Sequence, residues 1–322
     1  MPSYAVAGAS RGLGLEFAKQ LLSNGNTVIA LVRTPSTAHG LHAIHDANLH
    51  IVKADIADPA SLKTAAEETA KVTGGSLDVL INNGVFQDPK HAFHDILTFP
   101  DEQALTENFN ASWSTNVLGP IYTVNAFLPL LRKGTLRKVL TLSTGLADPA
   151  LNLDAEFGYH VAYCVSKCAL EMVNVKYAVA LRKEGFTFLA ISPGVVNTAE
   201  APRELSPSTR VLSVADAMHR AAPPEVLPKI LEQAAAFQKV YPHWTGPIQP
   251  PESVEKMLAV LDGVKPEDSG KFVSHLVRRA LPFFSRARLK SADFVRTGLE
   301  AVAVSCRARF SGAAGAGLIR VT

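Results

Sequence analysis

From the first few residues onward, short and nearly continuous apolar runs alternate with longer stretches of helical period. The runs Tyr4–Ala7, Thr27–Arg33, Leu49–Asp55, Leu77–Asn82, Arg137–Ser143, Phe186–Ser192 and Lys271–Ser274 read as strands buried on both faces of a parallel sheet. Between the first two, Leu13, Phe17, Leu21 and Leu22 make one helical stripe. Asp58-Pro59 reads as an N-cap followed by proline at the first helical position, opening a helix toward Lys71. Longer helices are predicted over Thr106–Leu131 and Tyr159–Lys183. Strand–helix alternation at this spacing predicts an α/β fold: a doubly wound parallel sheet of about seven strands with right-handed crossovers, using residues 1–275 as one domain.

Two stretches break the alternation. Residues 199–250 are rich in proline and follow a strand's C-terminal end, where open α/β sheets bind ligands. They read as a lid or substrate-loop insertion. Residues 276–322 hold nine basic residues against Asp293 and Glu300. The net charge there is +7, which leaves −4 on residues 1–275 out of +3 for the whole chain. This segment is expected to be a poorly ordered basic tail.

Composition narrows the class. With 47% apolar and 19% charged residues, the chain buries enough surface to fold. A charge of +3 over 322 residues does not point to nucleic acid. Cys164, Cys168 and Cys306 suit neither a disulfide framework nor a zinc cage, so a reducing compartment is expected. No run approaches the roughly 20 apolar residues of a transmembrane helix, and Tyr4-Ala5-Val6-Ala7 enters a glycine turn without a basic leader. The expectation is a soluble, cytoplasmic protein. His39, His42 and His45 recur every three residues, but without a partnering cysteine or second carboxylate they read as a solvated connection, and no metal is expected.

Gly8-Ala-Ser10-Arg11-Gly12-Leu13-Gly14 lies between the first strand and the first helix. Glycines allow a tight turn and close approach to a diphosphate, and the helix N-terminus offers free N–H groups. At the end of the second strand, Val32-Arg33-Thr34 stands where an acidic residue would bind the adenosine ribose. Arg33 and Arg11 favour a 2′-phosphate instead, so NADPH is expected over NADH. Tyr163 and Lys167 share one helical face at i and i+4. A phenol is a poor acid at neutral pH, and a neighbouring ammonium is expected to draw its pKa down toward working range.

With Ser143-Thr144 ending the fifth strand, Asn116 in the preceding helix and Asn82-Asn83-Gly84 ending the fourth, the chain resembles the short-chain dehydrogenase/reductase family along nearly all of residues 1–275. The family's Thr-Gly-x-x-x-Gly-x-Gly matches residues 7–14 with Ala7 for threonine, and Asp55-Ile56 matches its adenine site. Asn-Asn-Ala-Gly corresponds to Asn82-Asn83-Gly84-Val85 and Asn-Val-x-Gly to Asn116–Gly119. Pro-Gly-x-Val-x-Thr corresponds to Pro193–Thr198, with Tyr-x-x-x-Lys at Tyr163 and Lys167. Within the family the chain is most similar to fungal C-factor-like reductases, many of them tailoring enzymes of natural-product pathways. The segment Asp148–Phe157 is longer than the family norm and is expected to border the active site.

The resemblance implies hydride transfer between NADP(H) and a ketone or aldehyde. Ser143 or Thr144 would polarise the oxygen, strand alternation allowing only one of them to face the site. Tyr163 would donate the proton, Lys167 would lower the tyrosine's pKa and bind the nicotinamide ribose, and Asn116 would hold a water leading to Lys167. The cofactor would meet Gly8, Ser10, Arg11, Gly12, Leu13, Gly14, Arg33, Asp55, Ile56, Asn82, Asn83, Tyr163, Lys167, Pro193, Val196 and Thr198. Phe86, Phe93, Phe99, Tyr241 and Trp244, with His91 and His94, fall where a cleft is expected and suggest a bulky or aromatic substrate, such as a secondary-metabolite intermediate. A homodimer or homotetramer is implied, with helices pairing between subunits. The rival reading is a catalytically idle NADPH-binding sensor or scaffold on the same fold.

Overall fold

The computed structural model describes residues 1–198, 227–244 and 246–275. The strands are β1 (Ser3–Ala7), β2 (Thr27–Val32), β3 (Leu49–Lys53), β4 (Val79–Asn82), β5 (Lys138–Leu142), β6 (Thr187–Ser192) and β7 (Phe272–Ser274). They form one sheet in the order β3-β2-β1-β4-β5-β6-β7, and every neighbouring pair is parallel. All seven predicted strands are present, each trimmed or extended by a residue or two at its ends. The fold is the expected Rossmann-like doubly wound sheet, in one domain.

The helices are α1 (Gly12–Ser23), the short α2 (His39–His42), α3 (Pro59–Thr73), α4 (Glu102–Trp113), α5 (Gly119–Lys133), α6 (Pro149–Asp154), α7 (Val161–Ala180), α8 (Leu227–Val240) and α9 (Pro250–Gly263). Asp58 caps α3 as its sequence predicts, its carboxylate accepting from the Ala60 N–H at 2.9 Å. The long helix expected over Thr106–Leu131 begins earlier and is interrupted. Between α4 and α5 the chain widens into a π turn at Ser114–Leu118, a local deformation that often marks a functional position. Asn116 sits within it.

Period-two alternation splits the strand side chains between two apolar layers. Tyr4, Val6, Val28, Ala30, Leu140 and Ile191 pack with Phe17 and Leu21 of α1 and Met257 and Leu261 of α9. Ala5, Ala7, Ile29, Leu31, Leu80 and Val139 pack with Leu62 of α3, Phe127 and Leu131 of α5 and Ala178 of α7. Both faces are covered, which is why the strands read as unbroken apolar runs.

Among the described residues no helix is long and apolar enough to cross a membrane. Of the 199–250 insertion, 199–226 lies outside the described residues, as does the 276–322 tail; the remainder supplies α8 and the approach to α9. Phe127, fully buried on α5, gives a direct test of this packing. Phe127→Ala should lower unfolding stability in urea by about 3–5 kcal/mol, whereas a loss no greater than that of a surface substitution would contradict the two-layer core.

Candidate active site

β1 and β4 are neighbours, yet the chain leaves them toward opposite sides of the sheet. A crevice outside their C-terminal ends is where such folds bind ligands. The glycine turn after β1 occupies it. Asn83, just past β4, donates from Nδ2 to the Gly8 carbonyl at 2.8 Å and ties the two strand ends together. Gly14 passes so close that a Cβ there would lie 2.1 Å from Gly8 O and 2.7 Å from Asn83 Nδ2. No side chain fits.

Arg11 precedes α1 in extended conformation and provides no side-chain cap, so the first-turn N–H groups of Gly12, Leu13 and Gly14 are open to an anion. Ser10 lies beside them and Arg11 is exposed. Across the turn the Thr198 side chain is 3.6 Å from where a Gly12 Cβ would stand. The arrangement fits a diphosphate cradle. On the side where an adenosine would lie, Arg33 is exposed just beyond β2. Asp55 is held in its own turn, its carboxylate accepting from Ala57 N at 3.0 Å. Ile56 packs onto Gly84 and Gly119, making an apolar shelf. Val85, at a family glycine position, turns its side chain outward, so that departure leaves the turn intact.

The crevice continues along β4 and β5. Asn82 is buried opposite Thr141, its Nδ2 3.4 Å from the threonine hydroxyl. Asn116, fully buried, accepts from Phe86 N at 2.7 Å and donates to Phe86 O at 2.9 Å and to Ser166 Oγ at 3.0 Å. Its side-chain amide therefore fastens the loop after β4 to α7.

Three successive positions at the tip of β5 meet successive turns of α7. Lys167 Nζ donates to the Leu142 carbonyl at 2.8 Å. Ser143 Oγ points inward and donates to Glu171 Oε1 at 2.6 Å. Thr144, pointing the other way, accepts from Leu146 N at 3.3 Å and lies close enough to the Tyr163 hydroxyl to pull its pKa down. Of the two hydroxyls that the sequence leaves open, Thr144 is thus the one beside the tyrosine.

The electrostatics differ from the expectation at one point. Burial pushes the Tyr163 phenol up to about 12, against a smaller downward pull from Thr144. Lys167 Nζ lies 6.0 Å from the ring centroid, and the phenol is not brought down toward neutrality, because burial disfavours the phenolate. Burial brings Lys167 itself down to about 8, partly offset by Glu171. Tyr163 is therefore a neutral phenol across the physiological range, next to an ammonium charged below about pH 8.

The surroundings make an aromatic wall. Phe157, ending the long 148–157 segment, stacks on His160 at 5.8 Å, and His160 lies 6.4 Å from the Tyr163 ring. Phe93 reaches both His160 and Tyr159, at 5.4 and 6.1 Å. Phe237 of α8 contacts Phe157 and Trp244, and Tyr159 Oη donates to Glu232 Oε2 at 2.8 Å. His91, His94 and Phe99 instead pack on one another, with His91 Nδ1 2.6 Å from Asp88 Oδ2. His160 was missed in the sequence; its signal was only adjacency to the tyrosine helix. Its backbone is left-handed, at φ 57°, and burial drops its pKa to about 4, so the ring stays neutral. Glu171 was missed as well, although i+4 spacing from Lys167 marks it.

The segment Pro193–Thr198 is pinned from outside the sheet. Ser253 Oγ donates to Pro193 O at 2.8 Å, Val196 bridges Ile248, and Asn197 N donates to Ile248 O at 2.9 Å. Gly194 has φ 82° and the His275 ring fills the space a side chain would need, 2.4 Å from an added Cβ. This holds Val196 and Thr198 beside the crevice opposite the glycine turn.

Comparison with known proteins agrees with this geometry. The family described as short chain dehydrogenase matches residues 4–207. A short-chain dehydrogenase/reductase of Aspergillus aculeatus, AacuF, is 42% identical over 86% of this chain and 98% of its own length. Another from Arthrinium sp, atnB, is 36% identical over 85% and 97%. Among solved structures, the NADPH-bound carbonyl reductase from chicken fatty liver superposes with TM-score 0.64 at 26% identity, over 85% of this chain and 96% of that one. The chain belongs to the short-chain dehydrogenase/reductase family and is a nicotinamide-dependent oxidoreductase.

Proposed function

We propose that this protein is an NADPH-dependent reductase of ketones or aldehydes, able to oxidise the alcohol in reverse, and that it acts in the cytoplasm on a bulky or aromatic compound such as a secondary-metabolite intermediate. The observation that carries the reading is the meeting of the Thr144 and Tyr163 hydroxyls, one helical turn from Lys167 and beside the glycine turn.

When bound, the nicotinamide supplies the hydride. Thr144 donates to the substrate oxygen and orients the carbonyl. Tyr163 gives its proton to that oxygen as negative charge develops there. The Lys167 ammonium stabilises the phenolate that remains, and its hydrogen bond to Leu142 O fixes where that charge sits. Ser143 is assigned no direct part, since its hydroxyl is spent on Glu171. Pro193, Val196 and Thr198 would border the nicotinamide, and the first turn of α1 the diphosphate. Arg33 and Arg11 support the choice of NADPH: both are exposed at the adenosine side, with no acidic residue ending β2. The wall of Phe93, Phe157, Tyr159 and Phe237 supports an aromatic substrate. The retained proton-transfer residues weigh against an idle sensor.

A homodimer or homotetramer fits the outer face of α7, where Val165, Met172, Val175 and Val179 form an exposed apolar stripe. A second copy presenting the same stripe would bury it.

Tyr163→Phe should lower kcat for ketone reduction roughly a hundredfold or more while NADPH titration by nicotinamide fluorescence stays near wild type; wild-type turnover would refute its role. Arg33→Asp should weaken NADPH about tenfold or more and leave NADH within a few-fold. Equal losses for both would sink the 2′-phosphate assignment. Sedimentation should show a dimer or tetramer that Val175→Asp with Val179→Asp dissociates, and a monomeric wild type would reject the α7 contact.

A further inference from the structure

The polar groups used so far leave one buried carboxyl without a role. Glu171 is 5% exposed, two turns beyond Tyr163 and one beyond Lys167 on the same face of α7. Its Oε1 accepts from Ser143, while among the described residues Oε2 has no partner, nor do Nδ2 and Oδ1 of the buried Asn174 one turn further on. An apolar residue would be less costly at such a place.

We propose, on the footing of the reductase reading, that Glu171 is a positioning residue of this site, whose carboxylate grips the tip of β5 through Ser143 and sustains the positive charge on Lys167. The first effect follows from the Ser143 contact, the second from two buried groups of opposite charge set one turn apart on one face of α7. Strand alternation sends Ser143 and Thr144 to opposite sides, so a carboxylate that anchors Ser143 inward also aims Thr144 outward at Tyr163. Lys167 holds the preceding carbonyl, that of Leu142. One helix thus grips three consecutive residues of the strand through Lys167, Glu171 and Tyr163.

The charge coupling runs in both directions. Burial pushes Glu171 up to about 7; the Ser143 hydrogen bond and the Lys167 charge pull it down, and Asp148 at the N-terminus of α6 pushes it up. Burial likewise lowers Lys167, and Glu171 is the group that raises it. Cys168 on α7 also feels the carboxylate, whereas β5 contributes only the neutral Ser143 and the Leu142 carbonyl. Removing the negative charge must therefore let Lys167 lose its proton at lower pH. Glutamine at 171 keeps an oxygen for Ser143 and removes only the charge. Alanine at 143 removes the grip and keeps the charge.

The experiment is the pH profile of kcat for wild type, Glu171→Gln and Ser143→Ala, with a ketone that the wild type reduces. Glu171→Gln should move the alkaline limb, where Lys167 deprotonates, downward by about one pH unit. Ser143→Ala should lower kcat with the limb in place. Glu171→Asp, which restores the charge, should return the limb toward wild type. A Glu171→Gln profile that superimposes on wild type overturns the proposal. So does a uniform loss with an unmoved limb, which is the mark of a structural role.

A second measurement needs no turnover. A double-mutant cycle of Glu171→Gln and Lys167→Met, read by urea unfolding, should show a favourable coupling near pH 7.5 that fades at pH 5, where the carboxyl is protonated. Wild type should also lose stability relative to Glu171→Gln as pH rises through about 7, because a carboxyl raised in the folded state favours folding only while protonated. Zero coupling at both pH values overturns the proposal by itself. A wild type inert toward every carbonyl tried, with the coupling present, rejects the reductase reading alone.

Discussion

Parallel pairing is the constraint on which the rest depends. When all seven strands run the same way, every strand ends on one edge of the sheet, and every loop leaving those ends is delivered to the same side. Both sheet faces are sealed by helices, so the ends of the strands are the one place where backbone N–H groups and polar side chains can collect without being buried under apolar packing. The glycine turn, Asn83, Arg33, Asp55, Thr144 and Pro193 all begin within two residues of a strand's end. Their proximity is a consequence of strand direction before it is one of chemistry.

Within that edge, close approach does the finer work. Gly14 lies against the Gly8 carbonyl, which Asn83 also claims. That contact brings the start of α1 over the β1–β4 crevice, with its first N–H groups turned toward it. At the other end of the crevice, α7 is locked to β5 through a lysine, a carboxylate and a tyrosine spaced four residues apart. Helical period and strand period are thereby matched, residue for residue.

The balance of burial and charge gives the site its acid–base character. Desolvation raises the Tyr163 phenol and lowers the Lys167 ammonium. In the proposed reaction a neutral acid would stand ready, and a cation would stabilise its conjugate base as the proton leaves. The aromatic residues around Tyr163 maintain that low-dielectric setting. Asn116, in a π turn rather than a regular helix, is what allows α4–α5 to hold Phe86 and α7 at once.

Apolar periodicity by itself determined the seven strands, the helices between them and the class of fold, because parallel strands buried on both faces leave a pattern that solvent-facing elements do not. Motif spacing marked the glycine turn, Tyr163 with Lys167, and Asn116 as candidate positions, since each depends on local geometry set within a few residues. Only the tertiary structure sets Ser143 and Thr144 apart, the first on Glu171 and the second beside Tyr163. That difference turns on which face of β5 meets α7, and two adjacent hydroxyls are equivalent until a partner element packs against one side. The same is true of Glu171, His160 and the aromatic wall. Their roles arise from contacts between segments distant in sequence. The position of the tyrosine's pKa also belongs to the folded state, because burial and the opposing pull of the Thr144 hydroxyl arise only when solvent is excluded from a defined place.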